Sequence, residues 1–223
     1  MRAATRTAVV PAALALAGCM ASPPVPPPAT TATLLSPAEL VAAVHEDTER
    51  LDHARDAAER ARWLATAAGH ARQCVVQAAE DGACHYAQAQ VLGLTARERP
   101  LQANSLLKDM LVSLARAEAL DPALEHAGPA RLTAIVLLRA PGWPLGPGDA
   151  DAAVAAARRA VDRDPAYPPN LITLAQAQAR TDAADQARST FGRARLAVQA
   201  WSEPGNEPAQ WRKDVEQGLR ELP

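Results

Sequence analysis

The sequence predicts an all-α protein built of stacked helical hairpins, with a capping helix at its C-terminal end. Two observations carry this prediction. The first is composition: aromatic residues make up 3% of the 223 positions and only 11 are glycine, while Ala, Leu, Arg, Gln and Glu, all good helix formers, are abundant. The second is an internal repeat, because a pattern of small residues near position 153 returns 34 residues later, near position 187.

The repeat keeps the same register at several positions. Its matching residues are Ala153, Ala157 and Ala160 in the first copy and Ala187, Phe191 and Ala194 in the second. This period is typical of the tetratricopeptide repeat, a pair of helices that carries small residues where the two helices cross. Leu171, Leu174 and Ala175 resemble further motif positions, and Pro165 closes the preceding unit. One hairpin cannot bury its apolar faces alone, so such units stack. Chance matches in an alanine-rich helix are the alternative.

The predicted helical domain covers residues 36–223. Its first helix has a strong N-terminal signal. Ser36, Pro37 and Glu39 form the pattern of a capping box with proline in the first turn. Further helices are predicted at about 55–79, 84–96 and 102–120, with Asp121-Pro122 ending the last of them. Met110, Leu114 and Ala117 lie 43 residues before the first copy of the repeat, so this unit is about nine residues longer than the basic period.

The additional residues form a Pro- and Gly-rich loop at 139–149, and Asp149 is predicted to cap the helix that follows. The loop contains Trp143. We expect this tryptophan to be buried and to hold the loop against its neighbours; a functional loop is the alternative. After Trp201 and a break at 202–206, the last helix carries an apolar stripe typical of a terminal cap, formed by Trp211, Val215, Leu219 and Leu222.

The N-terminus has the pattern of an export signal: Arg2 and Arg6 precede a short apolar run, and the run ends in Leu16-Ala17-Gly18-Cys19. This ending resembles the bacterial lipoprotein signal, which implies a signal peptide at 1–18 and acylation of Cys19. Met20 after the cysteine implies the periplasmic side of the outer membrane. Residues 19–35 are predicted to be a lipid anchor and Pro-rich tether. A soluble-secretion leader is the alternative.

The net charge is −2, and without the leader 21 basic residues remain against 25 acidic ones. A nucleic-acid-binding protein would need a basic face, so this class is not expected. No phosphate-binding loop, nucleophile elbow or dinucleotide fingerprint is present in the sequence. We therefore predict neither an enzyme nor a cofactor. A metal-dependent hydrolase at His45, Glu49 and His53 is a weak alternative, because the second histidine of the zincin motif is missing.

Cys74 and Cys84 stand at the end of one predicted helix and the start of the next. In an oxidising compartment this placement favours a disulfide. Two alternatives stay open: a zinc site with His70 and His85, whose spacing fits no standard finger, and a pair of free buried thiols.

Three segments, 127–129, 139–149 and 168–171, resemble the bacterial repeat lipoproteins grouped with the T component of TRAP transporters. The resemblance implies a lipid-anchored periplasmic protein made of tetratricopeptide-like repeats. It also implies a protein partner, such as a solute-binding protein, in the uptake of small hydrophobic or organic-acid ligands. Self-association is left open.

In the repeat alignment, the inner-helix positions that face a concave groove are Pro169, Ile172, Gln176 and Ala179. Arg131 and Arg139 are candidates for anion recognition, with pairing to acidic residues of neighbouring helices as the alternative. Asn170 is expected to cap a helix. Two functions are consistent with this pattern: a scaffold that docks a protein partner, and a carrier that holds a small ligand in a closed apolar cavity near Trp143.

Overall fold

The computed structural model describes residues 34–202 and 207–223. The predicted signal peptide, Cys19 and the tether up to residue 33 lie outside the described residues, as do positions 203–206 of the predicted break. The chain divides into two units, Met1–Leu34 and Leu35–Pro223, and the second is described below. Its helices are α1 Pro37–Asp52, α2 Ala57–Gln77, α3 Gly82–Glu98, α4 Ala103–Leu120, α5 Leu124–Arg139, α6 Ala150–Arg163, α7 Pro168–Ala179, α8 Ala184–Ala200 and α9 Glu207–Glu221.

The helices pair in chain order. α1 packs on α2, α3 on α4, α5 on α6 and α7 on α8, and each first helix also packs on the preceding hairpin. α9 packs against α7 and α8. No β-strand occurs within 34–202 or 207–223. The prediction of an all-α hairpin solenoid with a C-terminal capping helix is therefore confirmed.

The 34-residue period has a direct structural basis. α6 begins at Ala150 and α8 at Ala184, and both are the second helix of their hairpin. All six matched residues are at most 1% exposed. Met110, Leu114 and Ala117 are buried in α4, the second helix of the preceding hairpin. Small side chains at these crossings let the helix backbones approach closely.

Phe191 is the large residue among these small ones, and α9 makes room for its ring. A Cβ added at Gly218 would lie 2.1 Å from Cζ of Phe191. Glycine at this position therefore allows α9 to lie directly on the ring. Val215, one turn earlier, is 1% exposed and belongs to the same core cluster.

The predicted helix starts agree with the observed caps. Ser36 Oγ accepts a hydrogen bond from the Glu39 amide at 3.3 Å, and the Ser36 amide donates to Glu39 Oε2 at 2.7 Å, completing the capping box. The hydrogen bonds from Ser36 lower the pKa of Glu39. Asp149 caps α6, because its Oδ1 accepts from the Ala152 amide at 2.9 Å.

A disulfide joins Cys74 at the end of α2 to Cys84 in the first turn of α3, with their Cα atoms 5.3 Å apart. Both residues are fully buried. The zinc and free-thiol alternatives are therefore wrong, since disulfide sulfurs are not thiolate ligands. The two histidines have other partners: His70 Nδ1 lies 2.9 Å from Asp47 Oδ2, and His85 Nε2 donates to the Ala79 carbonyl at 2.9 Å.

The start of α5 contains a left-handed turn that the sequence did not indicate. Glu125, His126 and Ala127 have φ values of 45°, 57° and 61°. The regular helix resumes at Gly128, where an added Cβ would lie 2.7 Å from the Tyr86 hydroxyl oxygen. Residue 128 therefore has to lack a side chain for Tyr86 of the preceding hairpin to pack against this turn.

Candidate functional site

An open groove with a volume of about 790 Å³ lies between the C-terminal ends of α5 and α7 and one face of α9. The residues that line it include Leu138, Arg139, Gln176, Ala179, Phe191 and Gly218. We call it the α5/α7/α9 groove. Its volume falls in the range of sites that bind a small ligand or a short peptide segment.

The groove carries charges of both signs on different helices. Arg139 ends α5 and Arg180 follows α7, and neither forms an ion pair with any residue of the described ranges. Asp214 and Glu221 line the groove from α9. These carboxylates accept hydrogen bonds from Gln210 and Gln217 of their own helix, each at 2.8 Å. The site therefore offers unpaired guanidinium groups on the hairpin side and carboxylates on the α9 side.

Three of the predicted groove residues meet here: Arg139, Gln176 and Ala179. Ile172 does not, because it is 5% exposed and belongs to the hydrophobic core. Pro169 does not line the groove either, and its carbonyl accepts from Thr173 Oγ1 at 2.8 Å. α7 packs against α5, α6, α8 and α9, so only its last turn reaches this groove.

Arg131 holds the left-handed turn of α5 together. Its Nη1 donates to the His126 carbonyl at 3.0 Å, and both of its Nη atoms lie 3.3 Å from the Glu125 carbonyl. Its guanidinium also lies 5.0 Å from the centre of the Tyr167 ring. Within 34–202 and 207–223 neither Arg131 nor Arg139 forms the alternative ion pair with an acidic residue, and the Nη groups of Arg131 bind carbonyl oxygens.

Asn170 is fully buried and bridges two hairpins. Its Nδ2 donates to the carbonyls of Ala160, Asp164 and His126 at 3.0–3.1 Å, and its Oδ1 accepts from Arg131 Nη1 at 3.0 Å. The side chain thus satisfies carbonyls at the end of α6, which is a capping role, although not at the start of its own helix. Together with Arg131, Asn170 donates hydrogen bonds to carbonyls of the left-handed turn, which the regular hydrogen bonding of the helix does not include.

The predicted burial of Trp143 is wrong: this side chain is 90% exposed. The loop does not need it as an anchor, because backbone hydrogen bonds hold the loop. The Gly148 amide donates to the Pro141 carbonyl at 2.8 Å, and the Asp149 amide donates to the Leu137 carbonyl at 2.9 Å. A Cβ at Gly148 would lie 2.1 Å from the Ala140 carbonyl oxygen, so glycine is needed for this close approach.

Leu145 in the same loop is 76% exposed. The loop thus presents two large apolar side chains to solvent on a hydrogen-bonded backbone. It adjoins the α5/α7/α9 groove through Pro141 and Gly142, which line the groove, whereas Trp143 does not line it. The closed cavity expected at this tryptophan is replaced by an open groove beside the loop.

Sequence reasoning missed the α9 side of the groove, formed by Asp214, Gln217, Gly218 and Glu221. The polar face of a terminal helix normally faces solvent, so nothing in the pattern marked these residues as lining a site. The available signal was Gly218, since a glycine in the interior of an amphipathic helix often marks close packing.

An aromatic cluster at the opposite end of α7 fixes α9 in place. The rings of Trp201 and Trp211 lie 5.5 Å apart edge to face, and Tyr167 packs against both. His126 stacks on Tyr167 at 4.2 Å and binds Asp164 at 2.7 Å. These contacts connect the left-handed turn at the start of α5 and the turn before α7 with the last helix.

The proposed hydrolase residues are not assembled into a metal site. His45 Nε2 lies 3.9 Å from Glu125, and His53 is the C-cap of α1. Within residues 34–202 and 207–223, no group of three His, Cys, Asp or Glu side chains is placed to hold a metal ion. In the same part of the chain, no helix combines the length and the apolar character needed to cross a membrane.

Residues 145–205 match the family described as Tetratricopeptide repeat. No curated protein matches the chain. The matched range contains α6, α7 and α8, where the 34-residue period is found, so the sequence match and the observed packing agree. The chain thus carries a segment similar to the tetratricopeptide repeat at 145–205, within a stack of helical hairpins.

Proposed function

We propose that this protein is a scaffold that docks a protein partner on the α5/α7/α9 groove and the adjoining loop that carries Trp143 and Leu145. Tetratricopeptide repeats commonly act through protein–protein contacts, and the groove lies within and beside the matched range. The observation that carries the proposal is Trp143, 90% exposed on a loop fixed by its own hydrogen bonds.

Two physical arguments support this assignment. Tryptophan is among the residues that most often dominate the energetics of an interface, and a preorganised loop reduces the entropy lost on binding. The unpaired Arg139 and Arg180 supply charges that a partner can neutralise without first breaking an internal ion pair. The protein in this proposal acts by binding rather than by catalysis.

We further propose that the scaffold is lipid-anchored on the periplasmic side of the outer membrane through Cys19. The support is the sequence Leu16-Ala17-Gly18-Cys19 after a charged and apolar leader. The partner would then be periplasmic, and a solute-binding protein of a TRAP-type uptake system fits the resemblance. In cells fed a radiolabelled fatty acid, we expect label on the wild-type chain and none on Cys19→Ser, which should also leave the membrane fraction.

Site-specific photocrosslinking in intact cells tests the docking site. A benzoylphenylalanine at position 143 or at position 179 should crosslink to the same protein. The matched control is position 112, because Val112 is 71% exposed on α4, away from the groove. The assignment would be contradicted if all three positions gave the same crosslinked protein in equal yield, or if positions 143 and 179 gave no crosslinked protein.

The alternative function is a direct carrier of a small hydrophobic or organic-acid ligand. The favourable observation is the volume of the α5/α7/α9 groove, about 790 Å³, with apolar residues such as Leu138 and Phe191 in its lining. A carrier should show saturable binding of a hydrophobic acid in titration calorimetry. This binding should disappear in Ala179→Trp, which fills the groove, and unchanged affinity in that variant would exclude the carrier function at this site.

A further inference from the structure

A second kind of groove lies between successive second helices of the hairpins. There are such grooves between α2 and α4, between α4 and α6, and between α6 and α8, with volumes of about 310, 400 and 290 Å³. They differ in chemistry. The α4–α6 groove is lined largely by charged residues, and the α6–α8 groove is lined by polar and small ones. The α2–α4 groove is mainly apolar.

The floor of the α2–α4 groove belongs to the hydrophobic core. Leu64 and Val91 are 5% and 3% exposed, and both line the groove. Ala65 and Ala68 of α2 and Leu106 of α4 line it as well. Because the α2 side carries alanines, an unbranched hydrocarbon chain can lie close to the α2 backbone.

Arg72 and Arg99 line the same groove, and both residues are exposed. Neither forms an ion pair or a side-chain hydrogen bond with any residue of 34–202 or 207–223. The neighbouring α4–α6 groove shows the opposite arrangement, because Arg159 and Glu118 form a two-bond ion pair across it at 2.7 and 3.1 Å. The α2–α4 groove therefore combines an apolar floor with two unneutralised guanidinium groups.

We propose that the α2–α4 groove binds a single-chain anionic amphiphile. Its carboxylate or phosphate head would pair with Arg72 or with Arg99, which stand at opposite ends of the groove, since the guanidinium fork matches both groups. The hydrocarbon chain would lie over Ala65, Ala68 and Leu64. A volume of about 310 Å³ is at the lower end of ligand sites, so it accommodates one chain rather than the two of a phospholipid. This site is separate from the α5/α7/α9 groove, so the proposal does not depend on the partner proposed above.

Titration calorimetry on the full chain with Cys19→Ser, which needs no detergent, tests the proposal. The ligands are dodecanoate and dodecyl phosphate, each below its micelle concentration, with dodecyltrimethylammonium and acetate as comparisons. We expect saturable binding of at least one of the two anions, and the stronger one identifies the head group. Comparable binding of dodecyltrimethylammonium, or no heat from either anion up to about 1 mM, would overturn the proposal.

Variants then locate the site. One of the two variants Arg72→Gln and Arg99→Gln should weaken binding of the anion about tenfold, since it removes the charged partner of the head group, and the other should have a smaller effect. The matched control is Arg116→Gln, because Arg116 lies on α4 outside the groove and pairs with Glu80. Ala65→Trp places a large side chain over the groove at an exposed position and should abolish binding. Unchanged affinity in the double arginine variant would show that the anion binds elsewhere.

Discussion

Arg131 and Arg139 lie on the same helix, and the difference between them shows how a residue's role follows from its neighbours. Arg131 pairs the carbonyls of Glu125 and His126, which the left-handed turn takes out of the helix ladder. Arg139 makes no such bond in the described part of the chain. Left-handed non-glycine residues cost about 1 kcal/mol or more each, so this turn depends on the bonds that hold it.

We therefore expect Arg131→Met to lower the free energy of unfolding by about 2 kcal/mol, because it leaves carbonyl groups without donors. Arg139→Met should change it by less than about 0.5 kcal/mol, as for surface positions without such features. Urea denaturation followed by circular dichroism measures both. Equal effects of the two substitutions would show that Arg131 does not support the turn.

Tyr86 gives the second prediction for a single residue. It is 5% exposed, and burial, followed by the nearby charge of Glu125, raises its pKa to about 12. The ordinary value is 10.0, so the folded state holds this proton more tightly than the unfolded state does. The resulting stability is fully present below pH 10 and is lost as the pH rises from about 10 to about 12.

The expected loss across this window is about 3 kcal/mol at most, since one pKa unit corresponds to about 1.4 kcal/mol. Urea midpoints measured at about pH 9 and about pH 11 should fall more steeply in wild type than in Tyr86→Phe, which cannot ionise. The same slope in wild type and Tyr86→Phe would contradict the raised pKa.

At the same scale, sequence reasoning succeeded where a residue's role is set by nearby positions. The burial of Ala153 and Ala187 follows from their place at a helix crossing, and Asp149 follows from the cap pattern. It failed for Trp143, because the loop's backbone hydrogen bonds, which remove the need for an anchor, have no sequence pattern. It also failed for Arg131, whose bonds depend on a turn that the sequence does not show.

Among the elements, α8 and α9 contain a matched pair of helical glycines. Gly192 has no atom within 4 Å of an added Cβ, whereas at Gly218 the Cβ would enter the buried ring of Phe191. Gly192→Ala should raise the free energy of unfolding by up to about 1 kcal/mol, through helix propensity alone. Gly218→Ala should lower it by about 1–3 kcal/mol, because overpacking outweighs the same gain.

Thermal and urea unfolding of both variants check this pair. Opposite signs are the expected result. If Gly218→Ala proved as stable as Gly192→Ala, α9 would not lie on Phe191 as described, and the groove between α9 and α7 would lose its basis.

The link between α2 and α3 gives a prediction for the first two hairpins. The disulfide closes a segment with a sequence separation of 10. In the chain-entropy account, such a loop contributes about 3 kcal/mol to stability. Cys74→Ala combined with Cys84→Ala should cost at least this much, since both residues are also buried. The measurement is urea unfolding of wild type with and without a reductant beside the double variant. Equal midpoints in all three would contradict a stabilising disulfide.

For the whole molecule, the sequence predicted the architecture well because each hairpin uses the same local packing of small residues at its helix crossing. The period predicted the second helices, and the apolar stripe predicted α9 as a cap. The groove was predicted only in part, at Arg139, Gln176 and Ala179. Its other side comes from α9, and where a capping helix lies across the last hairpins depends on contacts such as Phe191 with Gly218, which no repeat period specifies.

The docking of α9 can be tested as a property of the whole stack. Val215 is 1% exposed in the last core cluster, and Trp211 one turn earlier packs on Trp201. Val215→Asp buries a charge without a partner, so α9 should detach and leave Phe191 exposed. We expect a red shift of tryptophan emission, increased binding of a hydrophobic dye and a loss of about 3 kcal/mol or more in stability. Glu216→Asp, at the next and exposed position, should leave all three readouts unchanged. A Val215→Asp variant with native emission would mean that the stack does not need this helix as its cap, and that the acidic side of the α5/α7/α9 groove is not fixed in place.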